Sequence, residues 1–155
     1  MKSFALFFLP FCFLAVNSDS AFSQIKQKPT LNHIAVYVHD LQKSTNFYQN
    51  IIGLELMDEP FKDGRHTWFN MGAQGQFHLI SGAKKELEQI KDRHICLSVA
   101  SVEEFIKNLD QNGITYTNWK GDSKTPTLRI DGIKQIYFQD PDGYWIEINN
   151  DQKTR

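Results

Sequence analysis

Cysteine is scarce in this chain. Cys12 and Cys96 are the two present, and Cys12 falls inside a leader-like segment, so the part that folds keeps one thiol and closes no internal disulfide. A charge imbalance is also missing. The formal net charge is -1, and setting aside the leader's Lys2 and Asp19 leaves it unchanged, so the balance implies neither nucleic acid nor an anionic membrane as a partner. The apolar run Phe4 to Val16 falls short of the ~20 residues that a bilayer-spanning helix needs. Stability must therefore come from a packed core.

What is present begins with that short run. Met1-Lys2, the apolar stretch and the small-residue end Ala21-Phe22-Ser23 read as a secretory signal over residues 1–23, cut between Ser23 and Gln24. This sends the mature chain to the periplasm or outside the cell, with no membrane attachment after cleavage. An N-terminal membrane anchor is the alternative; a lipoprotein is disfavoured because Cys12 lies within the run rather than at its end. Residues 24–30, polar and containing Pro29, form a flexible lead-in. The remaining length suits one compact domain.

That domain repeats itself. His33-Ile34-Ala35-Val36-Tyr37-Val38 returns 61 residues later as His94-Ile95-Cys96-Leu97-Ser98-Val99, and Phe69 to His78 aligns with Phe138 to Glu147 at a constant offset of 69. Self-similarity of this kind decides the architecture before any single element does. Each half reads as strand, helix and three strands. In the first, Leu31 to Val38 is a strand, Asp40 caps a helix to about Asn50, and strands follow at Glu55 to Asp58, Thr67 to Met71 and Gln76 to Ile80. In the second, Ser101 opens a helix ending at Asn112-Gly113, with strands at Thr115 to Trp119, Gln135 to Gln139 and Tyr144 to Asn149. The modules span about 31–80 and 93–150, with 81–92 as linker. Lys120 to Asp131 is either a lid or a plain surface loop.

Alternation along a strand gives the repeat chemical meaning. Ile34, Val36 and Val38 share one face, as do Ile95, Leu97 and Val99, Phe77 and Leu79, and Ile146 and Ile148. These apolar faces belong against helices. His33, His78, His94 and Glu147 then fall on the opposite faces, at repeat-equivalent places, as a pseudo-twofold metal centre requires. Imidazole and carboxylate suit Zn, Ni, Co or Fe(II) better than calcium or magnesium, which take all-oxygen shells. Ala35, Tyr37, Cys96, Ser98 and Trp145 share those faces and line the expected substrate pocket. Cys96 reads as a small buried thiol rather than a nucleophile. His39, at a strand end, and His66, in a polar loop, break the repeat relation and read as solvated.

These motifs resemble the vicinal oxygen chelate (VOC) superfamily, which includes glyoxalase I, extradiol dioxygenases and fosfomycin-resistance thiol transferases. The likeness runs from Leu31 to Asn150 through His33-Ile34-Ala35-Val36-Tyr37-Val38, Asp40-Leu41, Phe47-Tyr48, Gly53-Leu54, His94-Ile95 and Asp140-Pro141-Asp142-Gly143-Tyr144-Trp145-Ile146-Glu147. The resemblance implies an α+β fold of two tandem βαβββ modules forming a cup-shaped half-barrel around a divalent metal, with a homodimer open to it. It implies His33, His94 and Glu147 as ligands and puts His78 where a fourth ligand stands, usually Glu or Gln. It further implies a glyoxalase I-like lyase or isomerase, with Glu147 moving a proton between adjacent oxygenated carbons of a small-molecule substrate or its thiol adduct. Tyr37 stands where glyoxalase I usually offers an arginine, and Ala35 where fosfomycin transferases offer a threonine. An extradiol-type Fe(II) dioxygenase and a bleomycin-resistance-like sequestration module are the alternatives.

Overall fold

Unpaired strand edges and one shared core govern how the two halves are arranged. The computed structural model describes residues 28–84 and 89–152; the expected signal segment and most of the lead-in lie outside the described residues. The chain divides between Thr30 and Leu31 into two units, the second of which carries the fold. Its elements are β1 (His33–Val38), α1 (Leu41–Phe47), β2 (Glu55–Met57), β3 (His66–Asn70), β4 (Gln76–Ser81), β5 (His94–Ser98), α2 (Val102–Gln111), β6 (Thr127–Leu128), β7 (Lys134–Gln139) and β8 (Trp145–Asn149). They form two four-stranded mixed sheets, ordered β1-β4-β3-β2 and β5-β8-β7-β6. In each, the first strand pairs parallel with the last, and the remaining pairs are antiparallel. This is the expected pair of βαβββ modules in an α+β fold, and the sheets are not closed into a barrel.

Burial follows the alternation. Along β1, Val36 and Val38 are buried while His33, Ala35 and Tyr37 are exposed. Phe77 and Leu79 of β4, Ile136 and Phe138 of β7, and Ile146 and Ile148 of β8 join Phe47, Val102 and Leu109 from the helices in one hydrophobic core. Burying each such side chain stabilises the fold by roughly 1.5–3 kcal/mol. Both modules commit the same face to this core, so their ligand-bearing faces lie on the far side of each sheet.

Two elements differ from the sequence expectation. The first helix is α-helical only to Phe47 and continues as a π-helical turn, Tyr48–Ile52, stopped by Gly53 at φ 84°. Phe47 and Tyr48 are adjacent, about 100° apart on an α-helix, yet both are buried; the widened turn lets both reach the core. In the second module, the strand expected at Thr115 to Trp119 is reduced to a bridge between Thr117 and Tyr137, and the edge strand is Thr127–Leu128, inside the expected loop. The backbone of 117–119 is otherwise engaged. Asn118 N–H bonds Ser123 O, Trp119 N–H bonds Thr127 Oγ1, and the carbonyls of both residues accept from Lys91.

The β7–β8 turn clasps the first module. Tyr48 donates to Asp140 Oδ2 at 2.7 Å, Ser44 donates to Asp142 Oδ2 at 2.6 Å, and the Tyr144 hydroxyl bridges the N–H and C=O of Tyr37 on the open edge of β1. Asp140 Oδ1 also accepts from the backbone N–H groups of Asp142 and Tyr144. Burial outweighs these donors and pushes its carboxyl up to about 6. A carboxyl whose pKa rises on folding binds its proton more tightly in the native state, so stability falls as pH climbs from the unfolded value of 3.8 through about 6. An amide at 140 keeps one oxygen for the backbone donors and meets the Tyr48 hydroxyl, which also accepts. Asp140→Asn is expected to remove that pH-dependent loss, which amounts to at most about 3 kcal/mol. Urea denaturation of both proteins from pH 4 to 7.5 checks this, and parallel curves would refute it.

Candidate metal centre

Each module brings two of the four sequence-predicted ligands together. In the second, His94 Nε2 lies 3.2 Å from Glu147 Oε2. The ring's Nδ1–H donates to Lys91 O at 2.8 Å, which leaves the Nε2 lone pair facing the carboxylate. Histidines that bind metals are commonly oriented in this way by an oxygen on their other nitrogen. Glu147 is buried, and every oxygen contact is accounted for. Oε2 accepts from the Tyr137 hydroxyl at 2.6 Å, and Oε1 accepts from Asn149 Nδ2 at 2.8 Å and from Cys96 Sγ at 3.3 Å. Gln135 in turn donates to the Tyr137 oxygen. Burial and the Glu147 carboxylate push the Tyr137 phenol well above its ordinary range, so the hydroxyl stays a donor.

In the first module, the His33 and His78 rings stack at 4.4 Å between centroids and 11° between planes. His33 Nδ1 faces Asn32 Oδ1 at 2.8 Å, leaving Nε2 available as in His94. His78 is only 7 % exposed, and its far face lies parallel on Trp68 at 4.0 Å and 1°. Its Nε2 faces Gln76 Oε1 at 2.8 Å, the reverse of the arrangement in His33 and His94. Desolvation, then the neighbouring His33 and His66 rings, lowers its pKa.

The two pairs stay apart within one chain: among the described residues no three of His, Cys, Asp and Glu gather as a metal site. The shared cup expected from alternation thus appears as two half-sites. The residues of the second module fit a divalent ion in donor type and tautomer. Those of the first supply one such donor, His33.

The remaining candidates fall as follows. Ala35 pairs in register with His78 and leaves its ring room. Tyr37 is 45 % exposed beside the open edge of β1. Trp145 donates to Gln89 O at 3.1 Å and lies under the Lys91 ammonium. Ser98 sits at the end of β5 against Asp151 O and Gln152. Cys96 is exposed rather than buried, because β5 is an edge strand; desolvation of its sulfur and the adjacent Glu147 still push the thiol up to about 12, which disfavours a nucleophilic thiolate. An open cavity of ≈ 590 Å³ beside β5 is lined by Cys96 and Ser98 with Ile34, Leu97, Phe105 and Ile148, and none of the four candidate ligands lines it. His66 opens β3 instead of lying in a loop, bonded to Asp63 Oδ1 at 2.9 Å and packed on Phe61. His39 is exposed as expected, with Nδ1 on Ala83 O.

Lys91 is the residue that the sequence concealed, since it lies in the charged linker with no motif around it. Its ammonium bonds Thr117 Oγ1, Asn118 O and Trp119 O at 3.1–3.3 Å and lies over the Trp145 ring at 4.7 Å, while its carbonyl orients His94.

Residues 30–148 match the family described as Glyoxalase/Bleomycin resistance protein/Dioxygenase superfamily. Glyoxylase I 4 of Arabidopsis thaliana is 29% identical over 127 residues, covering 78% of this chain and 70% of the relative. Lactoylglutathione lyase of Schizosaccharomyces pombe is 25% identical over 154 residues, covering 81% of this chain, which spans only 48% of that longer protein. Among solved structures, a FosX fosfomycin resistance protein variant from Listeria monocytogenes, complexed with Mn(II) and 1S,2S-dihydroxypropylphosphonic acid, superposes with a TM-score of 0.64 at 24% identity, covering 83% of this chain and 96% of that one.

Replacing the ammonium of Lys91 while keeping an apolar stem tests its bracing role. Lys91→Met is expected to lower stability by about 1–3 kcal/mol, the cost of leaving such acceptors unmet, with a changed Trp emission from Trp119 and Trp145. Urea titration followed by fluorescence measures both, and unaltered stability would remove Lys91 from the site's scaffold.

Proposed function

The chain belongs to the Glyoxalase/Bleomycin resistance protein/Dioxygenase superfamily, and on that premise we propose that it is an exported, metal-dependent lyase or isomerase of glyoxalase I type. The substrate is a small oxygenated carbon compound or its thiol adduct, in which a proton moves between adjacent carbons. The observation that carries the reading is Glu147, a buried carboxylate with donors on both oxygens and a ligand-ready imidazole 3.2 Å away. Relatives carrying the names glyoxylase I and lactoylglutathione lyase support the reaction class. Export rests on the Met1 to Ser23 pattern.

His33, His94 and Glu147 would hold the ion, and imidazole with carboxylate favours Zn, Ni, Co or Fe(II). A divalent ion supplies polarisation of neighbouring oxygens on the substrate. Glu147 takes the proton from one carbon and returns it to the next on the same side. Tyr137 and Asn149 fix the plane of its carboxylate, so that both transfers use one geometry. Because the half-sites lie on the outer faces of separate sheets, we read the working centre as formed between two copies, the first module of one protomer facing the second module of its partner. The open edges of β1 and β5 and the half-exposed Tyr37 and Trp119 support that arrangement, and twofold symmetry makes both centres complete at once.

Two histidines and one carboxylate also match the set used by ferrous oxygenases, and the Tyr137 hydroxyl beside Glu147 suits proton transfer there. Oxygen uptake with ring cleavage of a catechol by the Fe(II)-loaded protein would move that reading ahead.

Two measurements test the proposal. Elemental analysis of the chain from Gln24 is expected to find bound divalent metal, lost in both His33→Ala and Glu147→Ala; no metal after reconstitution would leave a ligand-binding cup. On 2-oxoaldehyde–thiol adducts, monitored as thioester formation, Glu147→Gln is expected to slow turnover by about 10²–10⁴-fold, the usual contribution of a positioned base. Full retained turnover would end the assignment of Glu147.

A further inference from the structure

We propose that His78 stays out of the metal's coordination shell and serves instead as the middle ring of a His33–His78–Trp68 stack that orients His33. The inference rests on the metal-centre reading above and concerns which residues build it. Its basis is geometric. An imidazole binds a metal along the lone pair in its own ring plane, at about 2.0–2.1 Å. The His33 and His78 planes are 11° from parallel with centroids 4.4 Å apart, and stacked rings keep faces about 3.5 Å apart. An ion shared between them would stand roughly 1.8 Å out of each plane, nearly a full metal–nitrogen bond length, and would meet ring faces rather than lone pairs. One ring of the pair can serve.

Three observations choose His33. Its Nδ1–H is spent on Asn32, as that of His94 is on Lys91 O, and its Nε2 has no hydrogen-bond partner among the described residues. His78 instead spends Nε2 on Gln76. Both faces of the His78 ring are covered, by His33 and by Trp68, and it is nearly inaccessible while His33 is exposed. Presenting Nε2 to an ion would break the Gln76 bond, and turning the ring to present Nδ1 would break both stacks.

The repeat explains how the two modules came to differ. Trp68 and Tyr137 occupy equivalent positions, as do His78 and Glu147, and each pair sits directly across adjacent antiparallel strands. In the second module the cross-strand pair is a hydrogen bond, Tyr137 to Glu147 at 2.6 Å. In the first it is a ring stack, and the Trp68 Nε1 is buried with no hydrogen-bond partner among the described residues. One pair is polar and tunes a ligand; the other is apolar and fixes a ring. The centre then has three protein ligands, leaving one more position for substrate than a four-ligand site.

Co(II) is the probe. With the full mature chain, titration calorimetry is expected to give His78→Phe, which keeps a stackable ring, a Co(II) affinity within about tenfold of the wild type, at or below the low end of the 10–100-fold attached to residues that orient ligands. The visible spectrum of the Co(II) protein should keep its band positions, whereas His33→Ala binds no Co(II). Loss of binding in a folded His78→Phe equal to that in His33→Ala overturns the inference. A second readout needs no variant: proton NMR of the Co(II)-loaded wild type should show two strongly shifted exchangeable imidazole N–H signals per site, and three would overturn it. A wild type that binds no Co(II) under any loading condition fails the metal reading itself, and with it this inference.

Discussion

Every strand here has two faces and one of them is already taken. The single hydrophobic core shared by both modules claims Val36 and Val38, Phe77 and Leu79, Ile136 and Phe138, and Ile146 and Ile148, so chemistry is confined to the residues between them. Those residues are Tyr37, His78, Tyr137 and Glu147, with His33 on the same face of β1 as Tyr37. A one-residue slip in any of these strands would exchange core for site. The clasp that holds this register is polar: the turn after β7 places Asp140 and Asp142 against Tyr48 and Ser44, and its Tyr144 bonds the backbone of Tyr37 on β1. It binds the modules through the helix side, which is why the ligand faces of one chain do not meet.

The Glu147 carboxylate shows how the fold converts burial into chemistry. An ion in a low-dielectric setting is costly unless hydrogen bonds replace its water. Tyr137, Asn149 and Cys96 supply them. The same donors restrict the orientation of the carboxylate, so satisfying the buried group and preorganising it are one act. Around them Lys91 ties the linker to residues 117–119 and to His94, replacing ladder hydrogen bonds with an ammonium and shortening the strand that the sequence pattern leads one to expect.

The repeat also shows how equivalent positions diverge. The same antiparallel register across β3–β4 and β7–β8 carries a tryptophan on a histidine in one module and a phenol on a carboxylate in the other. Sequence symmetry identifies the positions; the side chains around them decide the use.

The βαβββ repeat, the alternation that separates Ile34, Val36 and Val38 from His33, Ala35 and Tyr37, and the resemblance to the superfamily were all legible in residue order, because strand parity and local turn chemistry depend on near neighbours in the chain. The π-helical turn at Tyr48, the loss of the strand at 115–119 and the exposure of Cys96 were not, because each depends on groups far away in sequence: two adjacent aromatics seeking one core, Lys91 seeking carbonyls, and an edge strand without a neighbour. The same holds for the centre. By itself the sequence determined which four residues lie on the faces opposite the core. The tertiary structure alone decided that they meet two by two, and that His78 lies flat between His33 and Trp68, because packing fixes ring planes and sheet positions that no spacing encodes.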